Sequence, residues 1–267
     1  MEGGHLAVLI QPIELLILGG AALGSLLIAS PVALIKDIVT QVLGVVTKKD
    51  FISTSEYTEL LLLVFSLLKL AKSNPLAIEA HIEKPESSDI FTKFPSVLKN
   101  HHAIHFLCDT LKVQISSSLS PYDLEDLMDA DLNSTHEQEH KVPTTVNRIG
   151  DAMPGLGIVA AVLGVVITMG KLTQGKEVIG HSVAAALVGT FLGILASYGF
   201  MQPLAAKIES NIAEEGKYLQ VIKIALIAFA KNCSAKVCVE FARRTIPPVA
   251  RPSFEQVDQA TTNLGKT

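Results

Sequence analysis

Pro154 and Pro203 stand at the two ends of a long apolar stretch, and Thr190 and Ser197 are the main hydroxyls deep within it. A proline inside a helix removes one backbone hydrogen bond and kinks it, giving two nearby geometries between which a binding event can select. A proline near a helix end is also plain punctuation, and position alone leaves both readings open. Ionisable groups within membrane spans normally mark ion pathways. Here Glu14 and Asp151 lie at the ends of apolar runs, His181 lies near the outer end of the last, and no carboxylate sits mid-run. If ions cross here, another chain supplies the titrating group.

Other side chains offer less. His136-x3-His140 could set two imidazoles on one helical face, as in a zinc site. Its flanks, Asn133-Ser-Thr and Lys141-Val-Pro, read as a solvated, frayed helix end without a third ligand. His101, His102 and His105 have no convincing ligand partner either, so no metal site and no cofactor are expected. No nucleophile elbow, P-loop or dinucleotide fingerprint is present, and the chain is not expected to be an enzyme. Cys108, Cys233 and Cys238 are an odd number without zinc spacing, which fits free thiols in a reducing compartment.

The elements that position these residues are membrane spans. Ala152 to Gly170 and Val178 to Ala206 contain no Asp, Glu, Lys or Arg, and only Lys171 to Glu177 separates them. Runs of about 18 or more apolar residues can cross the hydrocarbon as helices, which satisfy their own backbone. Together they form a hairpin. A third run, Leu15 to Ile35, is long enough to span and is no signal peptide, because Glu2 and Glu14 replace a basic leader. Leu60 to Ala71 is too short and holds Lys69, so it reads as a core or interfacial helix. The mean hydropathy of +0.40 and 18% charged residues, against about 25% in globular chains, agree with a membrane protein. A net charge of −4 speaks against nucleic acid as a partner.

Basic residues divide unevenly. Lys36 and Arg148 flank the large segment and Lys207 opens the tail, whereas the hairpin loop holds only Lys171 and Lys176. The positive-inside rule then predicts an outside stub over 1–12, a span over 13–32, and a cytoplasmic helical domain over 33–150. It continues with a span over 151–171, a short periplasmic loop over 172–179, a span over 180–206 running on into the cytoplasm, and a helical cytoplasmic tail over 207–267. Ser53-x-x-Glu56 is a capping box opening the Leu60 to Ala71 helix, which Asn74-Pro75 ends. A second helix is predicted from Phe94 to Ser117, and Ser120-Pro121 opens a third over Tyr122 to Leu132. No useful strand alternation occurs, so the fold class is all-α. The small residues Gly155, Gly157, Ala160, Ala161 and Gly164, and Ala184, Ala185, Ala186, Gly189, Gly193 and Ala196, let helix backbones approach closely, which favours a tightly packed assembly.

These residues resemble the MotA/PomA family of flagellar stator subunits, nearest the proton-type MotA branch. The blocks that carry the resemblance are Gln11-Pro-Ile-Glu-Leu15, Gly150-Asp-Ala-Met-Pro-Gly-Leu-Gly-Ile-Val-Ala-Ala161 with Val162-Leu-Gly-Val-Val166, Val188-Gly-Thr-Phe-Leu-Gly-Ile194, Val239-Glu-Phe241 and Arg251-Pro-Ser-Phe254. The resemblance implies a multi-pass protein of the bacterial inner membrane. It would form a ring of about five copies around MotB, which brings the membrane aspartate, and would push on the rotor protein FliG. Pro154 and Pro203 match the family's two functional prolines. Sodium-type members carry Thr on both pore helices; here Thr190 supplies one, but the facing position is Ala161, as in proton-type members. Glu79 matches the family's rotor-contact Glu. The corresponding Arg position reads Asn74, leaving Lys72 as the nearest cation. Family members have four spans, and the first would precede Met1; a start inside a longer frame and a three-span variant both fit.

Two rivals remain. An ExbB/TolQ-type energiser of outer-membrane processes shares the architecture, but the Gln11-Pro-Ile-Glu and Arg251-Pro-Ser-Phe blocks look like MotA. A non-conducting truncated paralogue acting as a membrane scaffold is the other.

Overall fold

A computed structural model describes residues 11–47, 52–117, 119–170, 173 and 175–264. The predicted stub up to residue 10, Lys48, Lys49, Lys171, Lys266 and the side chain of His181 lie outside the described residues. Every regular element among those residues is helical. In chain order they are α1 (Pro12–Ala29), α2 (Val32–Thr47), α3 (Thr54–Ser73), α4 (Pro75–Glu83), two 3-10 turns (Pro85–Ser87 and Phe91–Lys93), α5 (Pro95–Leu98), α6 (His101–Ser116), α7 (Pro121–Met169), α8 (Lys176–Ile194), a π-helical segment (Leu195–Met201), α9 (Gln202–Ala230), α10 (Ala235–Thr245) and α11 (Phe254–Leu264).

The helices fall into two compact units. One comprises α1, α2, α7 from Glu139 onward, α8, the π segment and α9 to Ser210; the other comprises α3 to α6, α7 to Gln138, α9 from Asn211, α10 and α11. The grouping takes α2 with the spans, whereas the sequence reading begins the cytoplasmic domain at residue 33. Ser30-Pro31 breaks the backbone between α1 and α2, because proline forces its predecessor out of the helical region.

In the second unit the local signals work as elementary chemistry requires. Ser53 caps α3, its Oγ accepting from Glu56 N at 3.3 Å while Glu56 Oε2 accepts from Ser53 N at 2.6 Å. Asn74 closes α3 and opens α4, its Oδ1 accepting from Ala77 N at 3.2 Å ahead of Pro75 in the first turn. The helix predicted from Phe94 to Ser117 is divided, because Asn100 caps α6 through Ala103 N at 3.0 Å and ends α5. Leu60, Leu61, Leu63, Leu67 and Leu68 of α3 form a core with Leu107, Leu111, Met128, Ile222 and Leu226. Lys223 enters it with its amine 2.6 Å from Asp129 and 3.7 Å from Glu125, which pairs the buried charge. Cys108 and Cys238 are buried free thiols. Burial pushes Cys108 up to about 12 and Cys238 up to about 11, so both stay protonated and unreactive.

The tail blocks found in the sequence have structural work. Arg251 donates to the carbonyls of Ile246 (2.9 Å) and Arg244 (3.0 Å), closing the end of α10, and Ser253 caps α11 through Gln256 N at 3.2 Å. Glu240 accepts from Arg243 Nε at 2.7 Å and from Arg244 Nε at 2.7 Å. The hydrogen bond from Arg243 is the main cause that holds the Glu240 carboxyl down to about 2 from an ordinary 4.5. A pKa lower in the folded state means stabilisation that is present above pH 4.5 and lost as pH falls towards about 2. Glu240→Gln should therefore cost about 2 kcal/mol of stability at neutral pH, on the scale of charge-assisted hydrogen bonds, and lower the thermal midpoint. The gap to wild type should close in acid melts; a gap that persists at low pH would contradict the assignment.

Candidate functional site: a close-packed intramembrane helix pair

Among the described residues three helices are long and apolar enough to cross a membrane: Pro12–Ala29, Pro121–Met169 and the continuous helix Lys176–Ala230. Only 17%, 17% and 24% of their most apolar windows are buried within the chain, so most of that apolar surface faces outward. The buried part includes a narrow stripe of small residues. Ala186, Gly189, Gly193 and Ser197 recur every three or four residues along α8 and the π segment, which is one face of a helix.

The contact along that stripe is backbone against backbone. A Cβ on Gly157 of α7 would lie 2.8 Å from the carbonyl oxygen of Gly189 and 3.2 Å from Thr190 Cα. One on Gly193 would lie 2.6 Å from the Met153 carbonyl oxygen, and one on Gly164 would lie 2.7 Å from Ala186 Cβ. Thr190 and Ala161 are both half-buried; Gly157 beside Thr190 is one turn before Ala161, and Ala160 packs at Gly189. The Ser197 hydroxyl is fully buried without a hydrogen-bond partner among the described residues.

At the other end of the pair, a Cβ on Gly150 would lie 3.1 Å from Met201 Cβ, and Gln202 Nε2 donates to Asp151 Oδ1 at 3.1 Å. This brings the segments carrying Pro154 and Pro203 side by side. Pro154 lies inside α7 and has no N–H for the carbonyl of Gly150, four residues back. The π-helical segment, with its wider turns, runs to Met201 and hands over to α9 just before Pro203. Segments of this kind inside α-helices occur often at functional sites.

Two expectations change. His136 and His140 do not sit at a frayed end but inside α7, which continues through Pro143 because Val142 and Val146 are buried and hold it. His140 Nδ1 lies 3.9 Å from Glu209. Glu14, expected at a span end, is 93% buried, and its Oε2 is the atom nearest a Cβ built on Gly189, at 2.8 Å. Gly189 is thirteen residues along α8 from Lys176, or about 20 Å at 1.5 Å per residue, so this carboxyl reaches the interior of the apolar run.

In the second unit Lys72 is exposed in the last turn of α3, and Glu79 is exposed on α4. Asn74, between them, is the cap of α4.

The comparisons settle the kinship. A model for Motility protein A N-terminal matches residues 1–75, and one for the MotA/TolQ/ExbB proton channel family matches residues 99–221. Motility protein A of Salmonella typhimurium is 36% identical over 261 residues, covering 97% of this chain and 88% of that relative. This chain belongs to the motility protein A family. Chemotaxis protein LafT of Vibrio parahaemolyticus is 33% identical across 96% of this chain and 90% of its own length. The C. jejuni MotAB structure shares the fold, with a TM-score of 0.74 at 18% identity, covering 95% of this chain and 91% of that one. The MotA-like blocks now have places: Gly157, Ala160, Gly189 and Gly193 are the α7–α8 contact, and Arg251 and Ser253 are caps.

Proposed function

We propose that this flagellar motor stator subunit assembles as a ring of about five copies around a MotB-like partner, in the bacterial inner membrane, and turns proton flow into torque on FliG. The observation that carries this reading is the end-to-end match to Motility protein A. The motility-specific match over residues 1–75 favours it over an ExbB/TolQ-type energiser. The outward apolar surface of the spans suits lipid and further copies of the chain. The family points to a channel-forming role rather than an enzymatic one; we take the proton as coupling ion and assign no cofactor.

The proton reading rests on oxygen supply. Sodium needs several oxygen ligands at close range, and the α7 residues along this contact, Gly157 beside Thr190, Ala160 at Gly189 and Ala161 one turn after Gly157, carry no hydroxyl. Deleting the chain should leave filaments assembled but cells paralysed. Swimming restored by the wild-type chain should collapse with a protonophore and persist in sodium-free medium. Loss of filaments, or speed that tracks sodium at constant pH, would contradict the proposal.

Lys72 and Glu79 are the proposed rotor contacts on the cytoplasmic domain. Exposed ion pairs contribute only about 0.2–1 kcal/mol each, so Glu79→Ala should slow swimming mildly. Glu79→Lys should slow it more, through repulsion. Wild-type speed with Glu79→Lys would move the contact to the exposed charges Lys84, Glu86 or Asp89, or remove it.

A further inference from the structure

We infer that Glu14 is a second protonatable residue of the stator, seated in the membrane against Gly189 and next to Thr190, and that its protonation controls how α1 packs on α8. The inference rests on the stator reading above and adds a residue to it. Three observations carry it. Glu14 is 93% buried although it is an acidic residue on an apolar helix. Its Oε2 has no hydrogen-bond partner among the described residues. The space it occupies exists because residue 189 is glycine: any side chain there would begin 2.8 Å from that oxygen. The carboxyl therefore takes the place of a side chain on the buried stripe of α8, adjacent to the proposed ion path.

The surroundings leave the group without a fixed counter-charge. Helix α1 packs on α8 and α2. From Val178 to Ile194, α8 carries no Asp, Glu, Lys or Arg; its titratable residues are His181, eight positions before Gly189, and Lys176 and Glu177 at its start. On α2 they are Lys36 and Asp37, beyond the Ser30-Pro31 break, and α7 near Ala160 has none between Ala152 and Met169. Ionised, Oε2 is an unpaired charge against backbone carbons; protonated, the group is neutral and has a donor to give. The two forms cannot pack identically on a surface this tight. Proton binding at Glu14 thus biases the α1–α8 contact, which is the differential interaction a conformational switch requires.

The test uses the full chain with its MotB-like partner in a host lacking its own stator, reading membrane accumulation, partner co-isolation and swimming speed against external pH. Failure of the wild-type chain to restore motility would defeat the stator reading itself. With wild type working, Glu14→Gln should accumulate and bind its partner but lose most of its speed and the pH dependence of what remains. Glu14→Asp, which keeps a carboxyl on a shorter stem, should preserve the pH dependence at reduced speed. A packing role predicts the reverse order, because Gln matches the size of Glu and Asp does not. The inference is overturned if Glu14→Gln swims like wild type across the pH range, or if it fails to accumulate.

Discussion

Gly193→Val should abolish motility by preventing α7 and α8 from closing on each other. The added Cβ would lie 2.6 Å from the Met153 carbonyl oxygen and 3.1 Å from Gly157 Cα. Both obstacles are backbone, so no side chain can swing aside, and the helices must separate along the whole stripe from Met153 to Gly164. Overpacking a site that can relax costs about 1–3 kcal/mol; this one cannot relax locally and should exceed that range. In lipid no hydrophobic force between helices compensates, since association there depends on close packing. The expected result is a chain that falls sharply in membrane level, or one that accumulates but fails to co-isolate with its partner. Gly24→Val is the control, because a Cβ at Gly24 meets nothing within 4 Å, and its level should stay near wild type. Normal level and swimming in the Gly193→Val strain would show that the α7–α8 contact is not needed for the working assembly.

Pro154→Ala should have an equally large effect on torque and the opposite effect on the helix. Alanine restores an N–H to the Gly150 carbonyl, and an interior proline costs a helix about 3 kcal/mol or more, so the variant should be at least as stable in the membrane. It should nevertheless stop or nearly stop rotation. Pro154 stands within four residues of Gly150 and Asp151, which contact Met201 and Gln202. Restoring that hydrogen bond stiffens α7 at the joint through which movement at Thr190 and Glu14 would reach the segments carrying Pro154 and Pro203. Immunoblots of membranes, co-isolation with the partner and the rotation of tethered cells read the three properties separately. A variant that fails to accumulate would instead assign Pro154 to helix punctuation.

Gly193 and Pro154 are visible in the sequence, but the contacts that make them matter are not. Apolar runs without charge identify spans because burying an unpaired charge in hydrocarbon is costly at any position along them. Ser53-x-x-Glu56, Asn74-Pro75 and Ser120-Pro121 mark helix ends because a cap is a contact between residues three apart. The small-residue rows likewise announce close packing. Each of these signals is local, so the all-α membrane fold and the kinship with motility protein A are legible in the chain alone. The rest depends on neighbours remote in sequence. Continuation of α7 through Pro143 follows from buried Val142 and Val146, which nothing in Lys141-Val-Pro announces. Asn100 divides a helix that apolar periodicity reads as whole. Lys223 is buried beside Asp129, 94 residues away, a pairing no local pattern marks. Above all, Glu14 reads as a span-end carboxylate because its sequence position marks where a run begins, whereas its depth is set by the residue it packs against. That residue is Gly189, and only tertiary structure can bring an acid at the start of one helix to the middle of another.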